Sequence, residues 1–138
     1  MDDLQRFVAS DALAGHLGIE ILNYAKGSAK ARMDVKDFHL NSAGTVHGGS
    51  IFALADAVFS VASNSHGTLA MAINVSISYF KAVRGGTLYA EGKEVSLNPK
   101  LATYLIRVED QEGALIALFQ GTVYRKRDRL GEVLSSGK

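Results

Sequence analysis

Asp56 is flanked on each side by six residues without a charge. An unpaired carboxylate in apolar surroundings costs several kcal/mol, or its pKa rises until the group is neutral. Raised in that way, an aspartate becomes a more useful base. The competing reading is a carboxylate turned to a wet edge or paired with a basic group elsewhere. Upstream, His47-Gly48-Gly49-Ser50 stands where a loop passes into a helix. The first helical turn presents unpaired N–H groups and the positive end of the dipole. Gly48 and Gly49 leave that backbone open to a ligand, so it suits a developing oxyanion. On their own such glycines more often serve a turn. Asn41 adds a neutral amide donor in the same loop, or is an ordinary turn residue. His47 is either a base or a hydrogen-bonding partner of the loop backbone.

The elements that must position these groups are legible from hydropathy patterning. Leu4, Phe7, Val8 and Leu13 recur at helical spacing, which predicts an amphipathic N-terminal helix over about residues 2–15, ended by Gly15 and Gly18. Ala29, Ala31, Met33 and Val35 alternate with Ser28, Lys30, Arg32 and Asp34, the pattern of a strand with one wet face. Ile19 to Tyr24 is its hairpin partner, with the turn at Lys26-Gly27. Residues 37–49 form a long loop, and long ordered loops are often functional. Ser50 to Ser65 is apolar on nearly every side, with Ile51, Phe52, Leu54, Val58, Phe59, Val61 and four alanines, which predicts a buried helix. Four strands follow: about 71–79, Thr87 to Leu97, Leu101 to Glu109, and Ala114 to Tyr124. Short turns between them predict an antiparallel meander. The tail over about 127–138 is expected to fray. The predicted architecture is α+β: a curved antiparallel sheet of about six strands around one long central helix. A single sheet leaves part of that helix uncovered, so a homodimer is expected.

The chain has 138 residues, which suits one domain over residues 1–138. With a formal net charge of +1 it has no strong field for nucleic acid or an anionic membrane. It contains no cysteine, which excludes a disulfide, a thiol nucleophile and thiolate metal ligands. The N-terminus lacks a basic start followed by an apolar run, and no stretch reads as a membrane span, so a cytoplasmic protein is expected. There is no Gly-x-Ser-x-Gly elbow and no phosphate-binding glycine loop. His16, His39, His47 and His66 lack metal-ligand spacing, so no metal and no cofactor is expected.

The run Asn41-Ser42-Ala43-Gly44-Thr45-Val46-His47-Gly48-Gly49, followed by Asp56, resembles the signature of hotdog-fold thioesterases. It is most similar to the phenylacetate-pathway (PaaI-like) acyl-CoA thioesterases, over about residues 15–125. The resemblance implies that the Gly48 N–H and the Asn41 side chain polarise a thioester carbonyl. Asp56 would reach in from the facing subunit as general base or nucleophile, and His47 would orient the loop or the substrate. It further implies an acyl-CoA substrate at a homodimer interface, with two dimers forming a homotetramer. Relatives often place a Ser or Thr, thought to hold the attacking water, where this chain has Ala72; either Asn74, close by, takes that role or water positioning is weaker here. Gly49, Lys81 and Arg84 complete the candidate substrate-binding set. Lys81 and Arg84 would meet CoA phosphates or be solvated charges at a turn, and the basic run Arg125, Lys126, Arg127 and Arg129 is read as a solvated tail in preference to a nucleotide contact. Two other functions compete with hydrolysis: a non-catalytic acyl-CoA-binding hotdog protein, and a hotdog hydratase or dehydratase.

Overall fold

The computed structural model describes residues 2–136. The N-terminal segment, expected as one helix, is two: α1 (Asp3–Ala9) and α2 (Ala12–Leu17). The cause is capping. Asp2 and Gln5 form a capping box at the start of α1, and Asp11 accepts the Ala14 N–H to begin a second helix. Gly15 lies inside α2, and Gly18, at φ 75°, ends it in the left-handed conformation that glycine adopts without strain.

Six strands follow: β1 (Ile19–Ala25), β2 (Ser28–Asp34), β3 (Thr68–Tyr79), β4 (Thr87–Leu97), β5 (Leu101–Glu109) and β6 (Leu115–Arg129). They form one sheet, antiparallel throughout, in the order β1-β2-β4-β5-β6-β3. The simple meander expected for the last four strands is therefore corrected. β4, β5 and β6 do run as hairpins, but β3 crosses to the far edge and pairs with β6. Its outer backbone edge meets no other strand among the described residues.

The long helix α3 (Gly48–Asn64) lies against the inner face of this sheet. The inward rows are the buried residues of the strands: Ala29, Ala31 and Met33 on β2, Leu88 and Ala90 on β4, Tyr104 and Ile106 on β5, Phe119 and Val123 on β6. Phe59 sits at the centre, its ring 5.4 Å from Phe119 and 5.9 Å from Tyr104. The sheet comes closest to the helix at two glycines. A Cβ on Gly121 would lie 2.6 Å from Phe59 Cζ, and one on Gly92 2.8 Å from Val58 Cγ1.

The C-terminal end of α3 is tied down by polar contacts. The Asn64 amide donates to the Ser60 carbonyl and its oxygen accepts the Ala70 N–H. His66 bonds Glu94 at 2.7 Å, and the Tyr104 hydroxyl donates to the same carboxylate at 2.6 Å. Burial pushes Glu94 upward, but these two hydrogen bonds outweigh it and hold the carboxyl below its ordinary range.

The expected fraying of the tail is also corrected. The basic run lies on the end of β6, where Arg125 pairs with Ala70 and Arg129 with Thr68. A last helix, α4 (Leu130–Ser135), returns across α1. Leu130 anchors it, 1% exposed, and its N–H donates to the Gly67 carbonyl. The final two residues of the expected tail lie outside the described residues. No helix among the described residues is long and apolar enough to cross a membrane.

Candidate active site

The loop before α3 is built by its own side chains. A 3-10 turn at Asp37–His39 carries His39, which is fully buried. Its Nδ1 accepts the Lys36 N–H, so Nε2 carries the proton and donates to the Leu17 carbonyl at 2.7 Å. The His39 carbonyl accepts the His47 N–H at 2.7 Å and the Ser50 hydroxyl. The start of α3 is thereby tied to the end of α2.

Asn41 folds the tip of the loop. Its Oδ1 accepts the N–H groups of Ala43 and Thr45, which fixes the amide orientation. Nδ2 donates to Thr45 Oγ1 at 3.0 Å, which leaves one of its two N–H bonds without a partner among the described residues. Asn41 therefore organises the turn and keeps a single donor to offer.

His47 caps α3. Its Nδ1 accepts the Gly49 N–H at 2.8 Å, so in the neutral ring Nε2 carries the proton and the exposed edge donates. The backbone bond it makes is therefore to the first turn of α3. This contact also accounts for Gly49, because a Cβ there would lie 3.1 Å from His47 Nδ1. The helix consequently starts at Gly48, two residues before the predicted Ser50. The Gly48 N–H takes no hydrogen-bond partner among the described residues. Tyr79 lies over this residue and donates its hydroxyl to the Gly48 carbonyl at 2.9 Å. Nothing in the sequence pattern joins Tyr79 to Gly48, since the two are brought together only by the course of β3.

Asp56 lies eight residues further along α3. It is half-buried, and no hydrogen bond or ion pair holds its carboxylate among the described residues. Burial raises its pKa, and the negative charge of Asp11 raises it further. Asp56 opens into a cleft of about 220 Å³ whose other walls include Phe7, Phe59, Ser60, Met71 and Ala72. Nothing local in the sequence joins Asp11 or Phe7 to Asp56, because they stand 45 and 49 positions before it.

Ala72 thus stands in the Asp56 cleft, where a hydroxyl was expected from resemblance. Asn74 does not. β3 has a bulge between Ala72 and Asn74, which leaves Ile73 unpaired and sets Asn74 opposite Thr122. Paired residues share a face. Thr122 is on the outer one, bonded to Thr103, so Asn74 points away from the cleft.

Lys81 is 3.5 Å from the Asp110 carboxylate, an exposed pair. Arg84 makes no ion pair among the described residues and lies beside the loop, with a guanidinium nitrogen 3.7 Å from where a Gly44 Cβ would stand. No group of three or more His, Asp or Glu side chains that could hold a metal ion is found among the described residues.

Within one chain the structure therefore gathers Asn41, His47, Gly48, Gly49 and Arg84 at one end of α3. It sets Asp56 apart from them. The family description "Thioesterase superfamily" matches residues 43–117. A putative esterase of Archaeoglobus fulgidus is 54% identical over 117 residues, covering 84% of this chain and 76% of the relative. The acyl-coenzyme A thioesterase PaaI of Escherichia coli is 34% identical over 84% of each chain. The solved structure of the E. coli PaaI protein from the phenylacetic acid degradation operon superposes with a TM-score of 0.88, covering 92% of this chain and 93% of that one at 31% identity. A Streptococcus mutans protein solved with acetyl CoA superposes with a TM-score of 0.77 at 28% identity, covering 80% of this chain and 90% of that one.

Proposed function

This chain belongs to the thioesterase superfamily, as a thioester hydrolase of the PaaI-like hotdog group, and from that premise we propose that it hydrolyses acyl- or aryl-CoA at a site shared by two copies of the chain. The carrying observation is the spacing of its two uncommitted groups. The Gly48 N–H and the Asp56 carboxylate sit on one helix, eight residues apart. At 1.5 Å per residue that is roughly 12 Å along the axis, too far for both to address one carbonyl group.

The free edge of β3 supplies the second copy. Tyr79, over Gly48, and Met71, beside Asp56, lie toward opposite ends of that strand. An antiparallel pairing of two β3 edges centred on Val75 brings the Met71 end of one copy to the Tyr79 end of the other. The Asp56 cleft then faces the Gly48 N–H of the second chain. Met71, Ile73, Tyr79 and Phe80 are large apolar side chains left exposed along this edge, and pairing would cover them.

In this arrangement the thioester oxygen accepts hydrogen bonds from the Gly48 N–H and from the free N–H of Asn41. Asp56 takes a proton from water as the water oxygen attacks the carbonyl carbon. The C–S bond then breaks, the proton passes to the leaving thiolate, and the products are the free acid and CoA. Arg84, beside the loop and unpaired, meets the CoA phosphates. Acetyl CoA in the S. mutans protein and the name of the E. coli relative support CoA as the carrier.

The test is thiol release from a panel of acetyl-, hexanoyl-, octanoyl-, benzoyl- and phenylacetyl-CoA, with Asp56→Asn run beside the native chain. Release by the native chain and its loss in Asp56→Asn are expected. Undiminished turnover in Asp56→Asn would refute the mechanism. Tight acyl-CoA binding without turnover would mark a binding protein, and enoyl-CoA hydration without thiol release would mark a hydratase.

A further inference from the structure

A second hollow lies outside the site described so far. A groove of about 540 Å³ runs between α1 and α2 on one side and α3 on the other, with β1 beneath it and α4 across its end. Its walls are mainly apolar, from Val8, Ala14, Ile21, Ala57, Val61 and Leu134. Among the described residues, the only charged one lining it is Asp11. In volume and lining it falls in the class of small-molecule sites, not that of packing defects.

Two residues line both this groove and the Asp56 cleft: Phe7 of α1 and Ser60 of α3. Ser60 is one helical turn beyond Asp56, so the two side chains are neighbours on one face of α3. A thioester carbonyl held at Asp56 therefore has a direct course for its acyl group, past Ser60 and the Phe7 ring and into the groove.

We infer that this groove is the acyl-binding site, that it takes an uncharged aliphatic or aryl acyl group, and that Phe7 is the wall controlling entry from the Asp56 cleft. The inference rests on the thioesterase reading given above. The chemistry of the lining selects the class. An apolar chain gains from leaving water there, whereas an acyl group ending in a second carboxylate meets Asp11 and finds no cation among the lining residues. The groove depends on α1, α2 and α4, the helices outside the sheet and α3, so these short elements set which thioester is hydrolysed.

Ala14 projects into the groove from α2, and the chain contains no tryptophan. Ala14→Trp fills the hollow and supplies a single fluorophore whose blue-shifted emission reports that the indole is buried there. Leu134→Trp fills it from α4 and serves if Ala14→Trp does not fold by circular dichroism. The filled variant is expected to lose at least about tenfold more kcat/KM toward octanoyl- and phenylacetyl-CoA than toward acetyl-CoA, since even one methylene in a pocket is worth that much discrimination. Phe7→Ala is expected to shift the preference toward longer chains. A suberyl-CoA probe, which ends in a carboxylate, should be a poor substrate that Asp11→Asn improves relative to octanoyl-CoA. Equal losses across all chain lengths with a buried indole would overturn the assignment. So would an unchanged chain-length profile together with a changed oligomeric state by light scattering, which would make the groove a surface for another copy. Absence of thiol release from every acyl-CoA by the native chain would instead overturn the thioesterase reading itself.

Discussion

Gly48→Pro separates the Gly48 N–H from everything else Gly48 does. Proline removes that donor, and the first helical position is where a helix tolerates proline best. The preceding residue is already suited to it: His47 stands at φ −59°, ψ 135°, the extended conformation required before proline. The steric demand is small. A Cβ at Gly48 would lie 3.3 Å from Tyr79 Cζ and Oη, and Tyr79 is 48% exposed, so its ring can move by the few tenths of an ångström needed. The fold should therefore survive while the thioester oxygen loses one preorganised donor. Such a loss costs about 2.7–4 kcal/mol of barrier, or roughly 10²–10³ in kcat. Gly48→Ala is the matched control, since it adds the same Cβ and keeps the N–H. The assay is steady-state thiol release, with thermal melting to verify that both variants fold. A large fall in kcat for proline and a small one for alanine is expected. Equal losses in the two variants would refute the assignment of the donor.

The same variant tests whether the site spans two chains. Mixing Gly48→Pro with Asp56→Asn under conditions of subunit exchange makes about half of the dimers mixed, and each mixed dimer has one intact site of two. About a quarter of native activity should return from two nearly inactive parents. No recovery despite demonstrated exchange would place Gly48 and Asp56 in the site of a single chain and sink the two-copy geometry.

Burial and the negative Asp11 both hold the Asp56 pKa above the ordinary aspartate range, and Asp56 must be ionised to act as base. Asp11→Asn keeps the cap on α2 and removes the charge, so the acid limb of the kcat/KM profile should move to lower pH; an unmoved limb would remove Asp11 from the account. A raised pKa also means that the folded chain holds the proton more tightly than the unfolded one. The stability linked to Asp56 is then complete below the unfolded pKa and is lost as pH rises through the folded value. Asp56→Asn should accordingly raise Tm at neutral pH, with the difference vanishing in acid, as differential scanning calorimetry at both pH values would show. Gly121→Ala should cost about 1–3 kcal/mol by overpacking against Phe59, read as a lower urea midpoint. It should also lower activity, because Phe59 lines the Asp56 cleft.

The parts of the fold that were legible in sequence are those set by local periodicity. The inward apolar residues of β2 alternate strictly with its outward polar ones, and α3 is a continuous apolar run with one charge, so both elements follow local patterning. β3 shows why the rest was not legible. Met71, Ile73, Val75, Ile77 and Tyr79 alternate cleanly in sequence, which reads as one buried face. The bulge at Ile73 breaks that row: Val75 and Ile77 stay against the core, whereas Met71 and Ile73 are more than half exposed. The same slip turned Asn74 away and left Ala72 in the cleft. The basic run near the C-terminus was read as a solvated tail because charge suggests solvent, yet long cationic side chains suit the exposed face of a strand end whose backbone is paired. Asp11 carried no local sign of its role, since its proximity to Asp56 is created only by α2 folding back beside α3.

β3 connects these features to the chemistry. Its Tyr79 end is bonded to the Gly48 carbonyl, its Met71 and Ala72 end walls the Asp56 cleft, and its outer edge is the one proposed to meet the second copy. The register of that pairing would set the distance from Asp56 to the facing Gly48. A slip of one residue moves one chain along the other by about 3.3 Å, as long as the whole gap between reacting atoms in a productive complex. It would also exchange the faces of the paired strand. Catalysis in this arrangement is therefore sensitive to any substitution that shifts the bulge at Ile73, even though that side chain points to solvent and touches neither reacting group. Deleting the bulge by removing Ile73 should abolish turnover while the helix-facing pairs Val75–Gly121 and Ile77–Phe119 keep the sheet intact. Turnover that persists through that deletion would show that β3 does not set the geometry of the site.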